Sequence, residues 1–178
     1  MLNQVIFSGL AMGGIYALVA LGYVFVWNTM AVVNFAAGEF VTFAAFVFVA
    51  TFITQLNLPY GLAALGAVII MALLGAIFAR VVFARLQGQR VLVAIIATVG
   101  FGIFLKELAR IIWGPEPILF TDSFSAGMLQ VGDVRVGKQQ LLILGVVVAV
   151  TALQHVFLTR TMAGKVMRAV ALDRDTAA

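Results

Sequence analysis

Two long apolar runs are separated by one short polar stretch, Asn34-Phe35-Ala36-Ala37-Gly38-Glu39. No acidic or basic side chain precedes Glu39, and the next charged residue along the chain is Arg80. A charged group is costly where it faces lipid, so it normally faces protein, water or the membrane boundary. We therefore predict that this stretch, called the elbow below, joins two membrane helices.

The composition is that of a membrane protein. Hydrophobic residues make up 64% of the 178 residues and charged residues 10%, and the mean hydropathy is +1.16. Soluble domains carry about a quarter charged residues. The apolar runs are continuous, whereas strands of membrane barrels alternate. We predict an all-α, polytopic membrane protein. The absence of cysteine excludes disulfides and thiolate metal sites.

Five apolar segments are long enough to span a membrane. We predict spans at about residues 5–26, 40–56, 62–83, 91–113 and 141–158. Small residues recur every four positions in two of them, a spacing that lets helices pack closely. They are Gly9, Gly13 and Ala17 in the first span and Ala63, Ala67, Gly75 and Ala79 in the third, where Met71 occupies the remaining position of the stripe.

Basic residues cluster in two places, which predicts the orientation of the chain. One cluster is Arg80, Arg85 and Arg90, and the other is Arg160, Lys165, Arg168 and Arg174. The positive-inside rule makes both cytoplasmic. The N-terminus is then outside, the C-terminus is cytoplasmic, and the elbow lies at the cytoplasmic boundary. Residues 114–140 form an extracytoplasmic loop, in which Gly132-Asp133 predicts a small hairpin turn.

No catalytic motif is present. The chain has one histidine, His155, and lacks a His-Glu-x-x-His motif, a Gly-x-Ser-x-Gly motif and a phosphate-binding loop. We predict that it is not an enzyme, hydrolyses no ATP itself, and holds neither metal nor cofactor.

Two interpretations of Glu39 are open. An acid in the first turn of a helix stabilises the positive end of the helix dipole, with Asn34 as a cap. Alternatively, Glu39 is a gate in a transport pathway, because the broken helix leaves polar backbone where a solute can meet it.

Two charged segments are also ambiguous. Lys106, Glu107 and Arg110 are either snorkelling or paired charges, or part of a solute site. Residues 160–178 form a cytoplasmic segment in which 164–173 predicts an amphipathic helix. That helix either lies on anionic lipid or docks on a soluble partner.

Both key stretches resemble one family. The elbow is similar to the Asn-Phe-Ala-His-Gly-Glu signature of branched-chain amino acid ABC transporter permeases, the Liv-type family, although Ala37 replaces the histidine of many members. The stretch Gly164-Lys165-Val166-Met167-Arg168-Ala169, with Asp173 and Ala177-Ala178, is similar to that family's cytoplasmic coupling segment. Ala97-Thr98-Val99-Gly100 and Trp113-Gly114-Pro115-Glu116 also fit, so the resemblance covers the chain in order.

The resemblance implies a permease subunit in a bacterial inner membrane. Its partners would be cytoplasmic ATP-binding subunits that hold ATP-Mg, a second permease subunit, which is the same or homologous, and an extracytoplasmic solute-binding protein, with no nucleic acid. Alternating access would move branched-chain amino acids or related small polar solutes such as urea or short amides. Residues 1–178 would be a single permease domain that is incomplete at its C-terminal side.

The resemblance also implies two sets of functional residues. The translocation pathway or gate would include Asn34, Phe35, Gly38, Glu39, Thr98 and Gly100, and ATPase coupling would involve Gly164, Lys165, Arg168, Ala169 and Asp173. Two alternatives remain: an ion-coupled secondary transporter or channel that uses Glu39, and a truncated fragment that transports nothing.

Overall fold

The computed structural model describes residues 2–30, 33–86, 89–118, 128–131 and 134–172, with side chains described for 5–28, 33–86, 89–118 and 137–168. In chain order the helices are α1 (Leu2–Met30), α2 (Ala37–Gln55), α3 (Tyr60–Leu86), α4 (Val91–Trp113), α5 (Lys138–Arg160) and α6 (Met162–Leu172). Strands β1 (Met128–Val131) and β2 (Val134–Gly137) precede α5.

The five helices α1 to α5 are each long and apolar enough to cross a membrane, within the part of the chain that is described. Their bounds agree with the predicted spans to within a few residues, and α4 matches the prediction at both ends. Large apolar side chains on these helices are exposed, for example Ile111 at 80% and Val91 at 73%. Lipid or further protein must cover them in a stable fold. The prediction of a polytopic helical membrane protein is confirmed.

The chain divides into two compact units, Met1–Thr29 with Thr121–Ala178, and Met30–Phe120. In the first unit α1 meets α5 at Gly14, where an added Cβ would lie 2.9 Å from Cγ2 of Val147. Within the described residues, a Cβ added to the predicted packing residues Gly9 and Gly13 would have nothing within 4 Å. The described contact between α1 and α5 therefore uses Gly14, and close packing on the predicted stripe stays a prediction, because spacing alone does not say which face a neighbouring helix takes.

The second unit packs α2, α3 and α4 around one apolar cluster. Its buried members are Phe43, Val47, Ala67, Leu105 and Ala109. Two residues of the predicted stripe on α3, Ala63 and Ala67, are buried, as close helix packing requires.

Helix α2 changes its geometry along its length. It is α-helical from Ala37 to Phe46 and π-helical from Val47 to Gln55. In the π-helical part the Thr51 hydroxyl accepts a hydrogen bond of 3.0 Å from Nε1 of Trp113, which ties α2 to the end of α4. The Trp113 ring also stacks on Phe46, with 5.4 Å between centroids, and meets Phe43 edge-on at 5.2 Å.

Turn residues end the helices of this unit. Asn57 follows α2 with a left-handed backbone (φ +49°), and Pro59 then stands immediately before α3. Gly114 ends α4 with φ +88°, a conformation that favours glycine.

The strands predicted on either side of Gly132-Asp133 are present in the first unit. β1 and β2 pair antiparallel with Leu129 opposite Val136, while the two turn residues lie outside the described residues. At the start of α5 the side-chain oxygen of Gln140 accepts the Gly137 N–H at 3.3 Å.

Candidate functional site

The elbow begins with a turn made by Asn34. Its Oδ1 accepts a hydrogen bond of 3.0 Å from the Ala36 N–H, and its backbone carbonyl accepts one of 3.3 Å from the Ala37 N–H. Helix α2 starts after Ala36, whose side chain offers no cap. Asn34 therefore stabilises the turn before the helix, and the prediction that it caps α2 is wrong.

The elbow packs against the middle of α4 through Gly102. A Cβ on Gly102 would lie 3.5 Å from both the Cα of Ala36 and the Cγ of Glu39. Gly102 is the twelfth of the 23 residues of α4. At ~1.5 Å of rise per residue, the elbow is about 16 Å from either end of that helix.

This depth differs from the predicted position at a membrane boundary. The aromatic contacts agree with it, since the Phe40 ring lies 5.2 Å from that of Phe78 and 5.8 Å from that of Phe101, well inside α3 and α4. The prediction counted spans along the chain, whereas the depth of α2 depends on how these rings align it with its neighbours.

A helix start at this depth has a physical consequence. Non-helical backbone within a membrane is tolerated where protein buries it or where it lines a water-filled cavity. Helix ends inside the membrane form solute sites in many transporters. Ala36 is fully buried and Asn34 is half-buried, so protein covers part of the elbow.

A groove runs from the elbow along α2 and α4. It has a cavity volume of about 220 Å³. Its lining combines charged, hydroxyl and apolar groups: Glu39, Thr42, Phe43 and Phe46 of α2, Leu105, Lys106, Ala109 and Arg110 of α4, and the following Gly114 and Pro115.

One of the three charged side chains that line the groove forms an ion pair. Nη1 of Arg110 lies 3.2 Å from Oε2 of Glu107, the predicted pair, and Glu107 itself does not line the groove. Among the described residues, the side chains of Glu39 and Lys106 have no hydrogen-bond or ion-pair partner. The groove thus presents one unpaired acid and one unpaired base.

The other predicted pathway residues lie around the elbow or away from the groove. Phe35 and Gly38 are exposed beside Glu39, and an added Cβ on Gly38 would meet no described atom within 4 Å. Thr98 is completely buried, and its hydroxyl donates to the Ile95 carbonyl of its own helix at 3.0 Å. Gly100 is exposed, and a Cβ added to it would meet no atom of the described part of the chain within 4 Å.

Two residues that the sequence did not single out carry the site instead. Gly102 supplies the contact with the elbow, and Thr42 lines the groove one turn after Glu39. Helical spacing could have indicated both residues. Gly102 follows Thr98 by four residues and Thr42 follows Glu39 by three, so each lies on the same helix face as a residue that was singled out.

A second junction, between α5 and α6, holds the first predicted coupling residue. Thr161 precedes α6; its hydroxyl donates to the Phe157 carbonyl at 2.6 Å and accepts the Gly164 N–H at 3.0 Å. Gly164 is buried against α5, where an added Cβ would overlap the Phe157 carbonyl oxygen and lie 2.6 Å from the Leu158 Cα. Only glycine fits this contact.

Helix α6 presents a mixed surface beyond this junction. Lys165 and Arg168 are exposed, and so are the apolar side chains of Met162 at 77% and Val166 at 60%, one turn apart. The Ala169 side chain and Asp173 lie outside what the structure describes. No group of three metal-ligating side chains occurs among the described residues.

Comparison with known proteins identifies the family. The model of the family described as "Branched-chain amino acid transport system / permease component" matches residues 5–178. The chain belongs to this permease family. The match includes the elbow, the groove and α6, so one family accounts for all the candidate sites.

Curated relatives of the chain are permease proteins. It is 29% identical over 181 residues to the high-affinity branched-chain amino acid transport system permease protein BraD of Pseudomonas aeruginosa. It is 27% identical over 183 residues to the LivH protein of Salmonella typhimurium and 26% over 181 residues to that of Escherichia coli K12, which have the same descriptive name. Each alignment covers 96% of this chain and 59% of the relative. No solved structure was found that matches the chain.

Proposed function

We propose that the chain is the membrane-spanning permease subunit of an ABC importer for branched-chain amino acids or related small polar solutes. The observation that carries this proposal is the family match over residues 5–178. The chain spans 59% of the length of its curated relatives, so its activity, solute and partners are inferred.

The groove between α2 and α4 supports a solute path. It starts at a helix end at mid-depth of α4 and contains an unpaired acid and base beside apolar walls. Ionisable side chains inside membrane proteins generally mark solute or ion pathways, because lipid would not tolerate them. In this proposal Asn34, Phe35, Gly38 and Glu39 form the inner part of that path.

The basic clusters support an orientation. Arg80, Arg85 and Arg90 lie at one end of α3 and α4, and Arg160 and Lys165 lie around the α5–α6 junction. With both clusters cytoplasmic, the N-terminus is outside, the C-terminus is inside and residues 114–140 face the extracytoplasmic side. There they are available to a solute-binding protein. A bacterial inner membrane fits this arrangement.

The α6 helix supports coupling to a cytoplasmic ATPase. Its exposed Met162 and Val166 form an apolar strip beside the exposed Lys165. An amphipathic helix that lays its apolar residues into a groove is a common way for proteins to dock. The Thr161 hydroxyl and the Gly164 contact fix α6 firmly to α5, so a push on α6 is passed to that span.

The mechanism follows from these parts. Partner subunits bind and hydrolyse ATP-Mg, and their movement shifts α6 and α5. A second permease subunit, the same or homologous, completes the transmembrane unit. The solute path alternates between outward-open and inward-open states, and coupling requires only that the partners bind the two states with different affinity.

Co-purification of the chain with ATPase subunits encoded by neighbouring genes tests this proposal. We expect a stable complex with the unaltered chain and loss of that complex with Val166→Glu, which places a charge on the apolar strip. Glu116→Lys, an exposed charge change on the loop after α4, serves as the control and should still form the complex. If the chain binds no ATPase subunit, the importer proposal is wrong.

A further inference from the structure

We propose that the groove between α2 and α4 binds a zwitterionic amino acid, with Glu39 facing its ammonium group and Lys106 facing its carboxylate. The aromatic rings of Phe43 and Phe46 form the wall for an aliphatic side chain. This inference deepens the proposed function and rests on it for the choice of leucine as the probe.

Charge complementarity is the first argument. Glu39 and Lys106 both line the groove, and within the described residues neither side chain has a partner. Two opposite charges at membrane depth are expensive unless something pairs with them. A solute that carries one positive and one negative group satisfies both at once, whereas a purely cationic or anionic solute leaves one of them unpaired.

The placement of the two charges is the second argument. The Cγ of Glu39 would lie 3.5 Å from a Cβ added to Gly102 of α4, and Lys106 follows Gly102 by four residues. Residues four apart lie on the same helix face, about 6 Å apart along the axis. An α-amino acid carries its ammonium and carboxylate groups on the same carbon, which suits two counter-charges at neighbouring levels of one groove. Arg110 lies a further turn along, where Glu107 already neutralises it.

The size and walls of the groove are the third argument. Its volume of about 220 Å³ is below the ~300–1,000 Å³ of sites for drug-sized ligands, so it suits a smaller solute. Beside the charges, the lining consists largely of apolar groups from Phe43, Phe46, Leu105 and Ala109. This wall favours a branched aliphatic side chain over a polar one.

Trp113 offers a direct readout of binding. Its ring contacts both Phe43 and Phe46, which line the groove. The chain has one other tryptophan, Trp27, so a Trp27→Phe background leaves Trp113 as the sole tryptophan reporter. We would titrate this background, purified in lipid nanodiscs, with leucine, leucinamide and isocaproate. Leucinamide lacks the carboxylate and isocaproate lacks the ammonium group.

We expect saturable changes in Trp113 fluorescence, with leucine bound about tenfold or more tightly than either analogue, since each analogue loses one charged contact. In Glu39→Gln the preference for leucine over isocaproate should shrink about tenfold. In Lys106→Met the preference for leucine over leucinamide should shrink instead. Glu116→Gln and Lys138→Met, which lie outside the groove, are the matched controls and should keep the parent preferences.

Three outcomes would overturn the inference. These are no saturable response of the parent to leucine, unchanged preferences in both groove variants, or an equal loss for all three probes in both variants, which would indicate a purely structural role. Either variant can carry the test if the other does not fold, as judged by its elution profile. A saturable leucine response without ATP-driven uptake would leave this subsite standing and overturn the importer function.

Discussion

The two helix junctions of this permease both contain a glycine, but they use it in opposite ways. At the elbow, an added Cβ on Gly38 would have none of the described residues within 4 Å. At the α5–α6 junction, an added Cβ on Gly164 would overlap backbone atoms of α5. The first glycine leaves space beside an unpaired acid, whereas the second allows a close contact. One glycine therefore lies in a loosely packed junction and the other in a tightly packed one.

The largest effect should come from closing the tight junction. Gly164→Ala forces α6 away from Leu158, and we expect a loss of about 3 kcal/mol or more in the free energy of unfolding, because backbone cannot yield as a side chain does. Thermal unfolding in detergent measures it. Gly145→Ala in the same helix pair, where an added Cβ would meet no described residue within 4 Å, is the control. Equal stability of the two variants would contradict the close contact.

A smaller effect should come from filling the contact between α4 and the elbow. Gly102→Val adds two methyl groups beyond a Cβ that already touches Ala36 and Glu39, so we expect a loss of about 2 kcal/mol. Gly100→Val, on another face of the same helix, should cost clearly less. Denaturant unfolding compares the two. A greater loss at Gly100 than at Gly102 would contradict the contact between Gly102 and the elbow.

The Thr161 hydroxyl at the α5–α6 junction should contribute less to the free energy of unfolding than either glycine contact. Thr161→Ala removes the acceptor for the Gly164 N–H, and we expect a loss of about 1 kcal/mol, as for other helix caps. Hydrogen exchange of the first amides of α6 measures this loss locally. Thr161→Ser keeps the hydroxyl and should restore protection. Equal exchange rates in the alanine and serine variants would exclude a capping role.

The smallest effect should be at the open elbow. The new Cβ of Gly38→Ala has no neighbour within 4 Å in the part of the chain that is described, and alanine is a better helix former in the first turn of α2, so we expect a gain of about 0.5 kcal/mol. The same unfolding measurement as for Gly164→Ala makes the comparison direct. A clear destabilisation by Gly38→Ala would mean that the elbow is as tightly packed as the second junction.

Local features of this fold follow from the sequence. The length of the apolar runs predicts the five spans, and Gly132-Asp133 predicts the hairpin. The three-residue spacing of Glu107 and Arg110 on a helix allows the ion pair that they form. Each of these depends on residues that are close along the chain, where helix period and turn chemistry decide the outcome.

The depth of the elbow and the choice of contact glycines do not follow in this way. They depend on how Phe40 meets Phe78 and Phe101, residues that are distant along the chain. Periodicity identifies a face of α4 but does not say that Gly102, rather than Gly100, meets Glu39. Similarly, the stripe on α1 does not reveal that Val147 packs on Gly14. Packing between distant helices sets these contacts.

Uptake of labelled leucine into proteoliposomes tests the central claim most directly. The chain would be reconstituted with its ATPase subunits, its permease partner and its solute-binding protein, with ATP supplied to the ATPase side. We predict leucine accumulation that requires hydrolysable ATP and persists when proton and sodium gradients are collapsed. Accumulation that follows either gradient without ATP, or no ATP-dependent accumulation at all, would contradict the account.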